Sequence, residues 1–365
     1  MRAGFFAPLP PARTGVADYA AALLAQLRCF GDVVPNAREA DACLYHLGNN
    51  QIHHGIYRQA IEHPGVAVLH DAVLQHFFLG SLDEGAYVEE FVYNYGEWHR
   101  GLAREMWRRR AASLAAKYFE YPMLRRIAER SRAVVVHNPA AAEMVRRHAP
   151  AARIIEIPHL WQPEPAPPAA EVLRFRERLG IAPGAFVFGV FGYLRESKRL
   201  IPILQAYAEL RRALPQAILM VAGDFVSQDL ARAAAPLLAA PGVVRTPWLE
   251  PSAFRVAAAA GDACVNLRYP AAGETSGITV RLMGLAKPVI LTTADENRRY
   301  PDSACLRVDP GPSEPAMLWH HMVLVARFPL LAREIGAHAA AHIAQHHDAG
   351  RAAELYWKTL CDYRS

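Results

Sequence analysis

The sequence predicts an α/β protein built as two doubly wound domains in tandem, and three observations lead there. Short apolar runs alternate with helical patterns along the chain, which calls for parallel sheets covered by helices on both faces. A proline-dense segment interrupts that alternation near the middle. The length, 365 residues, exceeds what one ordinary core organises and suits two domains of roughly 150 to 180 residues each. Two such domains imply a cleft between them.

The first half opens with a strand at residues 2–7, a turn-rich loop at 8–15 and a helix at 16–27 with Asp18 in its first turn. The alternation recurs with strands at 42–45, 66–69 and 133–136, each followed by a polar or glycine-containing break and a helical pattern. Between residues 158 and 168 the chain reads PHLWQPEPAPP, where prolines forbid regular structure and stiffen the backbone, so this is the expected linker. Beyond it, strands are expected at 186–191, 217–221, 263–267 and 288–291. The expected division is 1–165, 166–345, and a last helix over 346–365 packing back toward the first domain.

Composition narrows the class. Hydrophobic residues are 52% and charged residues 21%, the balance of a globular chain. No apolar run reaches about 18 residues, and the opening turns at once into proline-rich sequence, so a cytoplasmic protein is expected. The five cysteines, Cys29, Cys43, Cys264, Cys305 and Cys361, are odd in number, widely spaced and without C-x-x-C, which reads as small core residues. A formal charge of +5 suits nucleic acid, an anionic membrane surface or a phosphorylated small molecule. The basic residues form no recognisable nucleic-acid reader, so nucleic acid is not an expected partner.

Ligands of open parallel sheets sit outside the carboxyl ends of the strands, and the informative loops follow strands. After 186–191 comes Gly192-Tyr-Leu-Arg195-Glu-Ser-Lys198-Arg199 and then a helical run. Glycine permits close backbone approach, and cations beside a helix start suit a diphosphate; the bland reading is a solvated basic turn. After 263–267 comes Gly273-Glu274-Thr275-Ser276-Gly277 and a further helix. The amides of Thr275, Ser276 and Gly277 suit an anion, and Glu274 can accept hydrogen bonds from sugar hydroxyls. Its bland reading is a capping carboxylate with Gly277 as a turn former.

With Lys287-Pro-Val-Ile290 beyond it, the 273–277 run resembles the donor-site signature of the retaining glycosyltransferases of family four, and Gly192–Lys198 is similar to their phosphate loop. The likeness extends over nearly the whole chain, including residues 8–19 and Leu69-His70-Asp71. It implies the GT-B fold, two Rossmann-like domains facing a cleft. It also implies that Glu274 contacts the transferred sugar and Lys198 the donor diphosphate. Two positions depart from the family pattern. Arg281 stands where a second glutamate binds the ribose, and Tyr193 where an arginine follows the loop glycine. Arg195, Arg199 or Arg281 is then the expected source of that charge, and Arg281 is the hypothesis retained, against a plain exposed helix arginine.

On the N-terminal side, Gly15 and Asp18 sit where the resemblance implies a loop closing over the donor phosphates, although an ordinary strand-to-helix turn explains them nearly as well. His70 follows the strand 66–69, where a histidine can bond a sugar hydroxyl or a developing oxyanion; alternatively its ring is fixed by Asp71 or a carbonyl. Asp71, Asn49 and His137 are acceptor-side candidates. Residues 100–132, rich in arginine with interleaved apolar side chains, fit either peripheral contact with an anionic membrane or a solvated helical face. No D-x-D is present to hold a divalent ion on a diphosphate, so no metal and no cofactor is expected, the nucleotide-diphosphate sugar serving as co-substrate.

The functional expectation is a retaining hexosyl transfer from a nucleotide-sugar donor to a glycan, lipid-linked or other hydroxyl acceptor. The rivals are a nucleotide-sugar epimerase or hydrolase on the same architecture, and a binding module that has lost catalysis.

Overall fold

The computed structural model describes residues 1–364. Their packing divides the chain into two compact units, one made of residues 1–162, 270–277 and 347 onward, the other of 163–269 and 278–346.

The first unit holds β1 (Arg2–Phe6), β2 (Asp32–Pro35), β3 (Ala42–Leu47), β4 (Val66–Leu69), β5 (Ala133–Val136) and β6 (Ile154–Glu156). All neighbours are parallel, in the order β2-β1-β3-β4-β5-β6. β3, β4 and β5 are buried along their whole length, as strands covered on both faces must be. One face packs under the helices inserted between β4 and β5, with Phe77, Phe78, Tyr87 and Phe91 in its core. The other packs under Gly15–Leu27 and the last helix, Ala349–Asp362. The hydroxyls of Tyr19 and Tyr356 meet there at 2.9 Å. Thr14 starts the first helix by accepting from the Ala17 amide, which satisfies a backbone donor that the helix cannot.

The second unit holds β7 (Val187–Phe191), β8 (Ile218–Ala222), β9 (Val243–Thr246), β10 (Ala263–Asn266), β11 (Val289–Thr292) and β12 (Leu306–Val308), all parallel, in the order β12-β11-β10-β7-β8-β9. Counted from its own first strand this is 3-2-1-4-5-6 reversed, the order of dinucleotide-binding sheets, and the first unit follows the 2-1-3-4-5 order with one strand added. The order reverses between β1 and β3 in one sheet and between β7 and β10 in the other. The loops that leave those strands carry Gly15, Asn49, Gly192, Lys198 and Glu274.

The edge strands β2, β6, β9 and β12 are additional to those the periodicity predicts. The expectation that all five cysteines are core residues is corrected at two positions: Cys29 is exposed and Cys361 half-buried. Among the described residues no helix is long and apolar enough to cross a membrane.

Candidate functional site

Strand register assembles the first unit's polar edge. Leu47 pairs with Leu69 and Leu69 with Val136, so Gly48, His70 and His137 leave the sheet side by side. Nδ1 of His137 lies 2.9 Å from the Ile157 carbonyl oxygen, a contact that only an N–H can make, which leaves Nε2 as an acceptor. His70 donates to it from Nδ1 at 3.3 Å. Nε2 of His70 in turn accepts from Nδ1 of His46 at 2.9 Å. One carbonyl thus sets three tautomers in sequence, and the chain ends at Nε2 of His46, a buried acceptor without a protein partner.

Tyr19 packs against this row, its ring edge-on to His70 at 4.8 Å. Burial pushes His46 and His70 well below the ordinary histidine value, with neighbouring histidines adding to the effect. Burial likewise holds His53 and His137 down to about 4. All four are therefore neutral rings at neutral pH.

His70, expected from the sequence to bond a sugar hydroxyl or oxyanion, has both ring nitrogens engaged by histidines here. Asp71 accepts from the Asn49 amide at 2.7 Å. Asn49 bonds His76 and accepts from the Phe77 amide, so it braces the helix Gln75–Ser81. Asp18 lies in the first turn of its helix. At Gly15 an added β-carbon meets nothing within 4 Å, and no steric demand for glycine exists there within the unit.

The loop 270–277 belongs to this same unit. The Ala72 amide donates to the Ala272 carbonyl at 2.8 Å, and Asn138 Nδ2 donates to the Gly273 carbonyl and to Thr275 Oγ1, each at 3.0 Å. Asn138 also caps the helix Pro139–His148 through its Oδ1. Gly273, at φ +72°, sits where a β-carbon would come within 2.6 Å of Ala72. Glu274 is half-buried, and one carboxylate oxygen accepts from the Ala272 amide at 2.7 Å. Thr275, Ser276 and Gly277 lead into the helix Gly277–Gly284, and a β-carbon on Gly277 would lie 3.1 Å from His159 Nε2.

The second unit presents the other loop. Gly192 has φ +87°, and a β-carbon there would stand 2.9 Å from the ammonium nitrogen of Lys198. Lys198 is buried, 8% exposed, and its Nζ donates to the Phe191 carbonyl at 2.8 Å. The loop is fixed by backbone bonds from Gly192 to Ala222, from Leu194 to Asp224 and from Tyr269 to Ser197. The last of these ties together the loops leaving β7 and β10, at the point where strand order reverses. Arg195 is exposed at the start of the short turn Glu196–Lys198. Arg281 stands over the Phe254 ring at 5.8 Å.

Arg199, expected from the sequence as a donor ligand, is paired with a carboxylate of its own unit. Its Nε lies 2.9 and 3.1 Å from the two Glu314 carboxylate oxygens, and its Nη2 lies 2.6 Å from one of them. Sequence reasoning missed His46 and Glu314. His46 sits between apolar residues in a buried strand, and no local pattern marks Glu314 as the partner of a distant loop. Among the described residues no group of three or more His, Cys, Asp or Glu is arranged to hold a metal ion.

No family model and no curated protein matches this chain. Solved structures do. HepE of Anabaena, in complex with UDP-glucose, matches with TM-score 0.70 over 99% of this chain and 100% of that one, at 16% identity. Sucrose-phosphate synthase from Thermosynechococcus elongatus matches with TM-score 0.70 over 99% and 100%, at 14% identity. WaaG, a glycosyltransferase involved in lipopolysaccharide biosynthesis, matches with TM-score 0.65 over 97% and 99%, at 15% identity. At these identities the likeness is one of fold, and the fold is GT-B: two Rossmann-like domains, each a six-stranded parallel sheet between helices.

Proposed function

We propose that the protein is a nucleotide-sugar-dependent glycosyltransferase that moves a hexosyl group to a hydroxyl acceptor with retention of configuration. The observation that carries this reading is the buried Lys198 ammonium beneath Gly192, on the loop that leaves the first strand of a sheet whose order reverses beside it. That is where parallel sheets of this order bind nucleotide phosphates. The fold is shared with a protein solved in complex with UDP-glucose.

Breaking the anomeric C–O bond leaves positive charge on the sugar and negative charge on the departing diphosphate. In this reading Lys198, supported by Arg195 and Arg281, stabilises the leaving group. Glu274 accepts hydrogen bonds from the sugar hydroxyls, with the amides of Thr275–Gly277 turned to the diphosphate. The acceptor oxygen attacks the face from which the leaving group departs, and its proton passes to the leaving phosphate oxygen, so no protein base is needed. His70 contributes a fixed neutral ring beside the first unit's strand ends. The sequence offers no D-x-D, and the mechanism assigns the diphosphate's charge to protein cations, so transfer is expected to persist in EDTA.

The test is a thermal-shift panel of nucleotide sugars followed by transfer assays with the donor that binds, since ligand binding to the native state raises the melting temperature. Retention is read from the anomeric proton coupling of the product. Sugar released to water or interconverted without acceptor makes the protein a hydrolase or epimerase instead. Binding with no turnover on any acceptor makes it a binding module, for which Arg281 at the position of a second carboxylate is the specific encouragement.

The reading extends to a lipid-linked acceptor reached through peripheral membrane contact at residues 100–132. Trp98, next to this run, is fully exposed and Leu114 half exposed, but Arg100, Arg108, Arg109 and Arg125 are each matched by a glutamate. Binding to anionic vesicles is therefore expected to be weak and to disappear in about 0.5 M salt. Co-sedimentation without any salt-sensitive fraction would remove the membrane from the proposal.

A further inference from the structure

Arg199 follows Lys198 directly and has no part in the proposed chemistry. Its backbone is left-handed, φ 57° and ψ 34°, a conformation that strains any residue with a β-carbon and that glycine adopts freely. The side chain offsets that strain. Its guanidinium forks onto Glu314, the first residue of the helix Glu314–Arg327, whose carboxylate is 1% exposed. A carboxylate so buried is heavily penalised without its cation, and the helix start adds a further preference for negative charge at that point. The pair is therefore held from both sides, and with it the left-handed turn at 199.

That turn decides where Lys198 points. On one side of it lies the short turn Glu196–Lys198, pinned by the Tyr269 amide on the Ser197 carbonyl. On the other, the helix Leu200–Ala213 begins at once, with the Ile203 amide bonded to the Arg199 carbonyl. With both flanks anchored, the left-handed residue between them turns the Lys198 side chain back to the Phe191 carbonyl and under Gly192. An ordinary helical conformation at Arg199 would redirect the chain at the adjoining residue and withdraw the ammonium.

We infer that Glu314, acting through Arg199, is a positioning residue that sets the Lys198 ammonium for the donor diphosphate. It stands 115 residues from Arg199 in sequence and touches no ligand itself. The inference rests on the reading of Lys198 as the diphosphate ligand, and its test separates the two.

UDP, GDP, ADP and dTDP, with their monophosphates, are screened by thermal shift, and the diphosphate with the largest shift is titrated calorimetrically against its monophosphate. The readout is the ratio of the two affinities, which a loss of stability alone leaves unchanged. Lys198→Ala is expected to lower that ratio about ten-fold or more, as the loss of a charge-assisted contact does. Glu314→Gln is expected to lower it about five-fold, and to add nothing in the Lys198→Ala background because the two act as one unit. Arg199→Gly combined with Glu314→Gln supplies the left-handed turn without strain and without an unpaired carboxylate, and is expected to return the ratio to within about two-fold of the parent.

A parental ratio in Glu314→Gln, alongside a collapsed one in Lys198→Ala, overturns the positioning role. A double variant that stays as low as Glu314→Gln also overturns it, because Arg199 would then itself be a ligand. A parental ratio in Lys198→Ala sinks the reading of the loop, and the inference with it. If Glu314→Gln alone does not accumulate as folded protein, Arg199→Lys, which keeps the charge and loses the fork, is read in its place.

Discussion

The two units keep polar groups out of water by opposite means. At the strand ends of the first, His46, His70 and His137 are buried as neutral rings that hydrogen-bond one another, and the chain starts from a single carbonyl. At the corresponding end of the second, charge itself is kept: Lys198 is buried against a carbonyl dipole, and the Glu314 carboxylate is buried under the half-buried Arg199 guanidinium. Neutral rings are inexpensive to bury but tolerate no added proton. Charged groups are costly to bury and tolerate no lost partner. The first unit should therefore fail when pH falls, and the second when a single side chain is removed.

The largest effect expected from breaking this contrast is on the charged side. On the proposed function, Lys198→Ala removes the leaving-group cation and should reduce transfer on the order of 100-fold or more, the range seen when a transition-state charge contact is deleted. Circular dichroism should report a folded protein. Gly192→Ala should be comparably damaging for a different reason. It forces a β-carbon onto a backbone at φ +87° and to within 2.9 Å of the ammonium, so folding stability falls along with activity. Near-parental turnover in Lys198→Ala would remove the functional difference between the units.

The neutral side is sharpened by pH. The folded-state pKa values of His53 and His137 lie near 4, and those of His46 and His70 are also depressed, whereas an unfolded histidine titrates near 6.5. Below about 6.5 the unfolded chain binds more protons than the folded one. Stability is thus full above that pH and is lost as pH falls toward about 4, by up to about 1.4 kcal/mol per pH unit for each histidine. Melting temperature should fall steeply between pH 6.5 and 5. Replacing His46 by Phe, which removes one titrating ring and the donor to His70, should flatten the fall. An unchanged slope in that variant would assign the acid sensitivity elsewhere.

Asn138→Ala is expected to come next. It removes a helix cap and two bonds to the Glu274 loop, a loss of about 2–3 kcal/mol when the cap and the two hydrogen bonds are taken together. Because the bonds to Gly273 and Thr275 hold the loop, donor KM should rise with the fall in melting temperature. A lowered melting temperature with unchanged KM would make Asn138 a cap alone.

How legible these features are in the sequence follows from their range. The central strands β1, β3, β4, β5, β7, β8, β10 and β11 are legible because burial on both faces makes them continuous apolar runs. β2, β6, β9 and β12 lie at sheet edges, are three or four residues long, and include Asp32, Pro35, Glu156, Arg245 and Arg307. One covered face and one hydrogen-bonded neighbour leave too weak a pattern to read. The loop Gly192–Lys198 is legible because glycine and cations follow a strand within seven residues. The Arg199–Glu314 pair and the histidine row are not, since each depends on strand order and register joining residues far apart in sequence. The allegiance of 270–277 to the first unit is hidden for the same reason: it is made by Ala72 and Asn138, which the local sequence around Glu274 does not mention.

The smallest effect expected separates two glycines that the sequence presents alike. Gly15 and Gly192 both follow a sheet's first strand, and both read as phosphate-loop glycines. Gly15 opens a helix whose cap is already supplied by Thr14, and the space where its β-carbon would go is empty to 4 Å. Gly15→Ala should leave the fold intact and stabilise it slightly, by about 0.4–1 kcal/mol, since alanine restricts the unfolded chain and suits a helical position. Donor affinity should then decide what Gly15 does. If affinity falls while stability rises, the position is kept open for the ligand; if both hold, it is an ordinary helix start and the resemblance between the two glycines ends at their place in the sequence.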